Sequence, residues 1–134
     1  MDLFETIAAI NQRFTKLQDS LAAAMRHSTL LMSEPNDNFL KKLAFFEKNG
    51  VLESTEKWQR SRASRNLAVH DYETDYAEIA EHFNTLHELS GMLYRTAQRL
   101  LKMCDEILNV QPVSSDFSQE FNTIVEELAS SPPS

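Results

Sequence analysis

Tyr76, Ile79, Phe83, Leu86, Ser90, Leu93, Ala97, Leu100, Cys104 and Ile107 follow one another in steps of three and four. At 3.6 residues per turn this is roughly nine turns with one continuous apolar stripe. A strand, with its period of two, cannot present these residues on one face. The segment must therefore be a long helix, and a helix this long needs partners to cover its stripe. Asp75 is placed to cap it, with Glu78 at the box position, and Asn109 and Pro112 end it.

The partners are in the same chain. Leu3, Ile7, Ile10, Phe14, Leu17 and Leu21 repeat the spacing from the N-terminus. Asp2 with Glu5 starts this first helix, which runs to about Met32 and stops before Pro35. A short second helix fits Asn38 to Lys48, capped by Asn36 or Asp37, with Leu40, Leu43 and Phe46 facing inward and Asn49-Gly50 as the stop. Ser54 caps a third, which carries Trp58 and reaches Val69 or His70 on a thin stripe of Trp58, Ala63, Leu67 and Val69.

Only two glycines and four prolines interrupt 134 residues, and Pro132 and Pro133 lie in the tail. The expected fold is all-α, an antiparallel bundle of four to five helices. Residues 1–110 form the bundle. Residues 111–134 form a linker, a fifth helix from Asp116 to Leu128 and a disordered tail. The sequence leaves open whether that helix caps the bundle or docks on a partner.

The single cysteine, Cys104, precludes an internal disulfide. With no basic leader and no long apolar run, a soluble cytoplasmic protein without membrane association is expected. A net charge of −7 argues against a protein that coats nucleic acid. The distribution is uneven, however: Lys57, Arg60, Arg62 and Arg65 fall within nine residues that contain no acid. Such a run is either a solvated face or a phosphate-binding one.

It leads into Arg65-Asn66-Leu67-Ala68-Val69-His70-Asp71-Tyr72. On a helix, Arg62, Asn66 and His70 share a face and Arg65 borders it. Tyr72 follows the helix, where its hydroxyl can reach a ligand. Arginine binds phosphate at any accessible pH, and histidine moves protons near neutrality. In RNA cleavage His70 would take the 2′-hydroxyl proton or protonate the leaving oxygen, while Arg65 stabilises charge on the phosphate. One histidine does not readily serve as both acid and base, so a symmetric dimer would complete the site. The bland alternative is a histidine favoured by the helix C-terminus beside an arginine paired with Asp71 or Glu73.

Other constellations carry less. His82 and His87 are five apart, a poor spacing for a shared metal, and His27 stands alone. Cys104 lies on the apolar stripe as a small core residue, and Tyr76 and Tyr94 flank that stripe as packing residues. There is no glycine-rich phosphate loop and no zinc spacing, so no metal or cofactor is expected.

The Arg-x4-His-x-Tyr pattern of Arg65, His70 and Tyr72, with polar Asn66 after the arginine, resembles the signature of HEPN-domain proteins, specifically HepT-like toxins. Asn49-Gly50-Val51-Leu52-Glu53-Ser54 ahead of Trp58, and the long helix opening at Asp75, resemble that group's layout over roughly residues 1–110. The resemblance implies a helical bundle that dimerises with its motifs facing each other, a homodimer open to further assembly. It implies a metal-independent endoribonuclease with Arg65 and His70 as the catalytic pair, to which helical spacing adds Asn66 and Arg62 in support. It also implies a nucleotidyltransferase antitoxin that transfers AMP to Tyr72. Some relatives are instead non-catalytic, substrate-binding partner subunits of nucleotidyltransferases. A purely structural dimerisation bundle is the remaining alternative.

Overall fold

The computed structural model describes residues 3–34, 38–65, 76–109 and 118–130. They form an all-α bundle: α1 (Leu3–Leu31), α2 (Phe39–Lys48), α3 (Thr55–Arg65), α4 (Tyr76–Met103), a π-helical turn (Cys104–Leu108) and α5 (Ser118–Ser130). Among the described residues there is no strand.

The helix ends follow from local chemistry. At the end of α1, Glu34 N–H bonds Thr29 O and Ser33 N–H bonds Leu30 O, with Ser33 at a φ of 59°. This is the paired 6→1 and 5→2 closure that uses a left-handed residue. The same closure ends α2: Val51 N–H bonds Phe46 O, Gly50 N–H bonds Glu47 O, and Gly50 has a φ of 76°. There the left-handed residue is a glycine, which adopts that conformation without a Cβ clash. The cap of α2 is Asn38, whose Oδ1 accepts Lys41 N–H at 3.0 Å, rather than Asn36 or Asp37, which lie outside the described residues. Ser54 caps α3 as expected, its Oγ accepting Lys57 N–H at 2.9 Å.

Contacts fix the directions. Asn11 meets His82 and Ser28 meets Cys104, so α1 and α4 run parallel. Gln18 meets Ser61 while Asn11 meets the carbonyl of Arg65, so α3 runs antiparallel to both. α5 lies antiparallel along α4, with Phe121 5.9 Å from Tyr94 and Leu128 beside Gly91. The core between these helices holds Met25, Leu43, Phe46, Leu52, Trp58, Leu86, Met92 and Leu93, all buried. Tyr94 is thus a packing residue, and α5 covers part of α4.

Several apolar assignments move. Leu40 is 56 % exposed, because α2 turns Leu43 and Phe46 inward and leaves Leu40 to solvent. In α3, Ala63 is exposed and Ser61 takes the buried place beside Trp58; Leu67 and Val69 lie outside the described residues. On α4 the buried face is centred on His82, Leu89, Met92, Thr96 and Met103 as well as Leu86, Leu93 and Leu100. Phe83, Ser90, Ala97 and Cys104 sit at its half-buried edge. Ile107 falls off the stripe, 60 % exposed, because the π-helical turn widens the coil and shifts its phase. Asn109, at a φ of 52°, ends the run as expected. Asp75, Asp116 and the terminal Ser-Ser-Pro-Pro-Ser lie partly or wholly outside the described residues.

Candidate functional site

Arg65 is the last residue of α3 and the last described residue before the segment that holds Asn66, His70 and Tyr72. Those three residues lie outside the described structure, as do Asp71 and Glu73. Their convergence with Arg62 and Arg65 is an expectation from helical spacing.

Arg65 itself is held from two sides. Its Nη1 donates to Asp19 Oδ1 at 2.5 Å and to Gln18 Oε1 at 3.1 Å, and its Nη2 donates to Asp19 Oδ2 at 3.3 Å. This is a two-point clamp on a carboxylate, the strongest geometry a guanidinium makes. The Arg65 side chain is 18 % exposed and that of Asp19 59 %, so the pair lies at the rim of the α1–α3 seam. The hydrogen bond from Arg65, aided by the positive charges of Arg65, Arg62 and Arg26, holds the Asp19 carboxyl below its ordinary value against the opposing effect of desolvation. The charges of three arginines thus act on one carboxylate, and Arg65 bonds it directly. Arg62 is exposed, and Arg26 lies over the ring of Phe39 at 4.3 Å.

Gln18 links this rim to the core. It is 1 % exposed; its Nε2 donates to Ser61 Oγ at 2.6 Å and reaches Trp58 O at 3.5 Å. Ser61 Oγ in turn donates to Trp58 O at 2.6 Å. Each polar atom in this chain has a partner, as burial demands. Arg65 is therefore positioned by a network rooted in the packed interior.

A second polar link lies one end further along α1. Asn11 Nδ2 donates to the carbonyl of Arg65 at 3.4 Å, and Asn11 Oδ1 lies 3.4 Å from His82 Nε2. Only a protonated Nε2 can bond that oxygen. His82 is buried, and burial lowers its pKa, so the ring is neutral at pH 7. With the folded pKa below the unfolded one, the unfolded chain takes up the proton first as pH falls. The stability this neutral ring allows is present above about pH 6.5 and is lost as pH falls from there through the lowered folded value. Thermal unfolding of the wild type should therefore drop in midpoint between pH 7 and pH 5, and His82→Gln should flatten that interval. An unchanged slope in the variant would assign the drop to other groups.

Asp19, Gln18 and Asn11 were missed in the sequence, and His82 was weighed there only as a metal ligand beside His87. Gln18 carried a signal: it lies four residues after Phe14 and three before Leu21, on the buried side of the first helix. His82 lies four residues before Leu86 on the same logic. A polar residue at core spacing announces a buried network. Asp19 carried none, since its role comes from a partner 46 residues away.

The remaining candidates divide as follows. His87 is exposed while His82 is buried, so the two face different surroundings. Among the described residues no group of three or more His, Cys, Asp or Glu is placed to hold a metal ion. Cys104 is half-buried with its Sγ 3.5 Å from Ser28 Oγ. No helix among the described residues is long and apolar enough to cross a membrane. Compared with known proteins, the chain matches no family model, no curated protein and no solved structure.

Proposed function

We propose that the chain is a HEPN-like endoribonuclease of the toxin–antitoxin type, working in the cytoplasm as a homodimer without a metal ion. The observation that carries this reading is the anchored guanidinium of Arg65, fixed by Asp19 and Gln18 where α3 leads into the Arg-x4-His-x-Tyr segment. A phosphate-stabilising arginine must keep its geometry through the reaction, and a clamp rooted in the core supplies that.

His70 accepts the proton from the ribose 2′-hydroxyl as that oxygen attacks phosphorus. The bond to the 5′-oxygen breaks, and His70 of the second protomer delivers the proton that this oxygen needs to leave. The products are a 2′,3′-cyclic phosphate and a 5′-hydroxyl. Arg65 stabilises the non-bridging oxygens, with Asn66 and Arg62 supporting the phosphate. Tyr72 is the switch: a nucleotidyltransferase antitoxin joins its hydroxyl oxygen to the α-phosphorus of ATP, the hydroxyl gives up its proton and pyrophosphate leaves.

One experiment tests both parts. Wild-type protein in excess chelator should cleave RNA, and His70→Ala should lose about 100-fold or more of the rate. After co-expression with the nucleotidyltransferase, the wild type should be inactive and carry AMP on the Tyr72 peptide, while Tyr72→Phe stays active. Equal cleavage by His70→Ala would sink the catalytic assignment.

The second reading is a non-catalytic partner subunit of a nucleotidyltransferase. The commitment of Arg65 to Asp19 favours it, since a phosphate must compete with a carboxylate already in place. A stable complex with the nucleotidyltransferase and no cleavage of any RNA would select it.

A further inference from the structure

Glu53, in the connector between α2 and α3, gathers three cations from two helices. Arg95 Nε donates to its Oε1 at 2.5 Å, Lys57 Nζ to its Oε2 at 3.1 Å, and Arg99 Nη1 lies 3.8 Å from Oε1. One carboxylate among three cations leaves two positive charges in excess. They are accessible: the side chains of Lys57 and Arg99 are 46 % and 42 % exposed. In a chain of net charge −7 such an excess is a local departure.

The backbone also makes room for it. A Cβ at Gly91 would lie 3.1 Å from Arg95 Nη1, so the guanidinium lies along α4 where only glycine stands beneath it. Burial raises the affinity of Glu53 for a proton, but the hydrogen bonds from Arg95 and Lys57 and their positive charges outweigh it and keep the carboxyl below its ordinary value. The group thus stays an anion held by cations, which is the arrangement a phosphate would take.

We propose that Lys57, Arg95 and Arg99 form a second phosphate-binding site for the RNA strand, in which the Glu53 carboxylate stands in for the phosphate until RNA arrives. This rests on the RNA substrate of the reading above. Lys57 and Arg65 are eight residues apart on α3, roughly 12 Å along its axis. A single phosphate cannot touch both, and a strand that meets the Asp19 cluster and the Glu53 cluster in turn passes along α3 while turning about 80° around it, from its α1 side to its α4 side. The opposite roles of carboxylate and cations give the site its test, because a salt bridge serving only the fold predicts no gain on removing Glu53.

Binding of a 2′-O-methyl RNA oligonucleotide, which cannot be cleaved through its 2′-oxygen, should be measured by fluorescence anisotropy from 0.1 to 1 M salt. Arg99→Gln should reduce the slope of log affinity against log salt by about 0.7, the value of one single-strand phosphate contact, and weaken binding about fivefold at 0.1 M. Glu53→Gln should move affinity and slope the other way. Arg99→Gln decides the matter alone if Glu53→Gln lowers the melting temperature sharply, since Arg99 is the most loosely held partner. Unchanged binding by Arg99→Gln, or binding of the wild type to anionic vesicles but not to RNA, overturns the site. Cleavage of ordinary RNA with unchanged binding by both variants removes this site and leaves the nuclease reading standing. The expected shifts without cleavage by the wild type retain the site and remove the nuclease reading.

Discussion

Trp58→Ala is expected to destabilise the fold by about 3–5 kcal/mol, the range for truncating a fully buried large aromatic. Trp58 is 1 % exposed and stands in the core with Leu43, Phe46, Val51 and Leu52 from α2 and its connector, and with the buried face of α4. Its ring also tilts against Phe39 at 6.2 Å. Among the described residues of α3, Thr55–Arg65, only Trp58 and Ser61 are buried. The indole is thus the main apolar anchor of this described stretch. A loss of this size is a large part of the stability of an ordinary domain. Urea denaturation would read it as a fall in midpoint. A loss under 1 kcal/mol would mean that α3 is held chiefly by its polar contacts.

Those polar contacts are the subject of the second large effect. Gln18→Met keeps the volume of the side chain and removes its hydrogen bonds. Arg65 then loses one acceptor and Ser61 Oγ loses a donor partner. The expected cost is about 1–3 kcal/mol, because a hydrogen bond to a charged group is among those lost. Under the proposed function, RNA cleavage should fall as well, with Arg65 held by Asp19 alone. Gln18→Glu, which can still accept from Arg65 but no longer donates to Ser61 Oγ, should recover part of the cleavage. If Gln18→Met loses stability but cleaves RNA at the wild-type rate, the network supports the fold without positioning the guanidinium.

The helices were legible because their signals are local. Three-four spacing, Ser54 before Lys57, and Asn49-Gly50 at the close of α2 each act within a few residues. Cap choice was less so: Asn36, Asp37 and Asn38 are three adjacent polar residues, and Asn38 is the one whose side chain closes the turn. Leu40 and Ile107 show the limit of periodicity. One lies at the start of a helix that its neighbours do not cover, and the other follows a change in helical pitch.

In the candidate site the sequence singled out Arg62 and Arg65 but not what holds Arg65. Asp19 looked like any exposed acid, and Glu53 like any residue of a turn. Each matters through partners at a separation of more than forty residues, Arg65 for one and Arg95 for the other. Pairings of that kind appear only when helices are placed side by side. The buried histidine was singled out for the wrong comparison, with His87, when its neighbours on the core face were the informative ones.

The parallel pairing of α1 with α4 has a consequence for how the chain is made. The contacts that fix it join residues 71 and 76 positions apart. A ribosome releases α1, α2 and α3 before the helix that completes their shared interior exists. Until α4 is available, the inner face of α1, with Phe14, Leu21 and Met25, is covered only in part. Closure of so long a loop comes late and costs more entropy than local pairing. A message truncated after Arg65 would therefore yield a sticky, half-sealed product rather than a smaller working one, and the intact protein becomes competent only once its longest stripe has been synthesised.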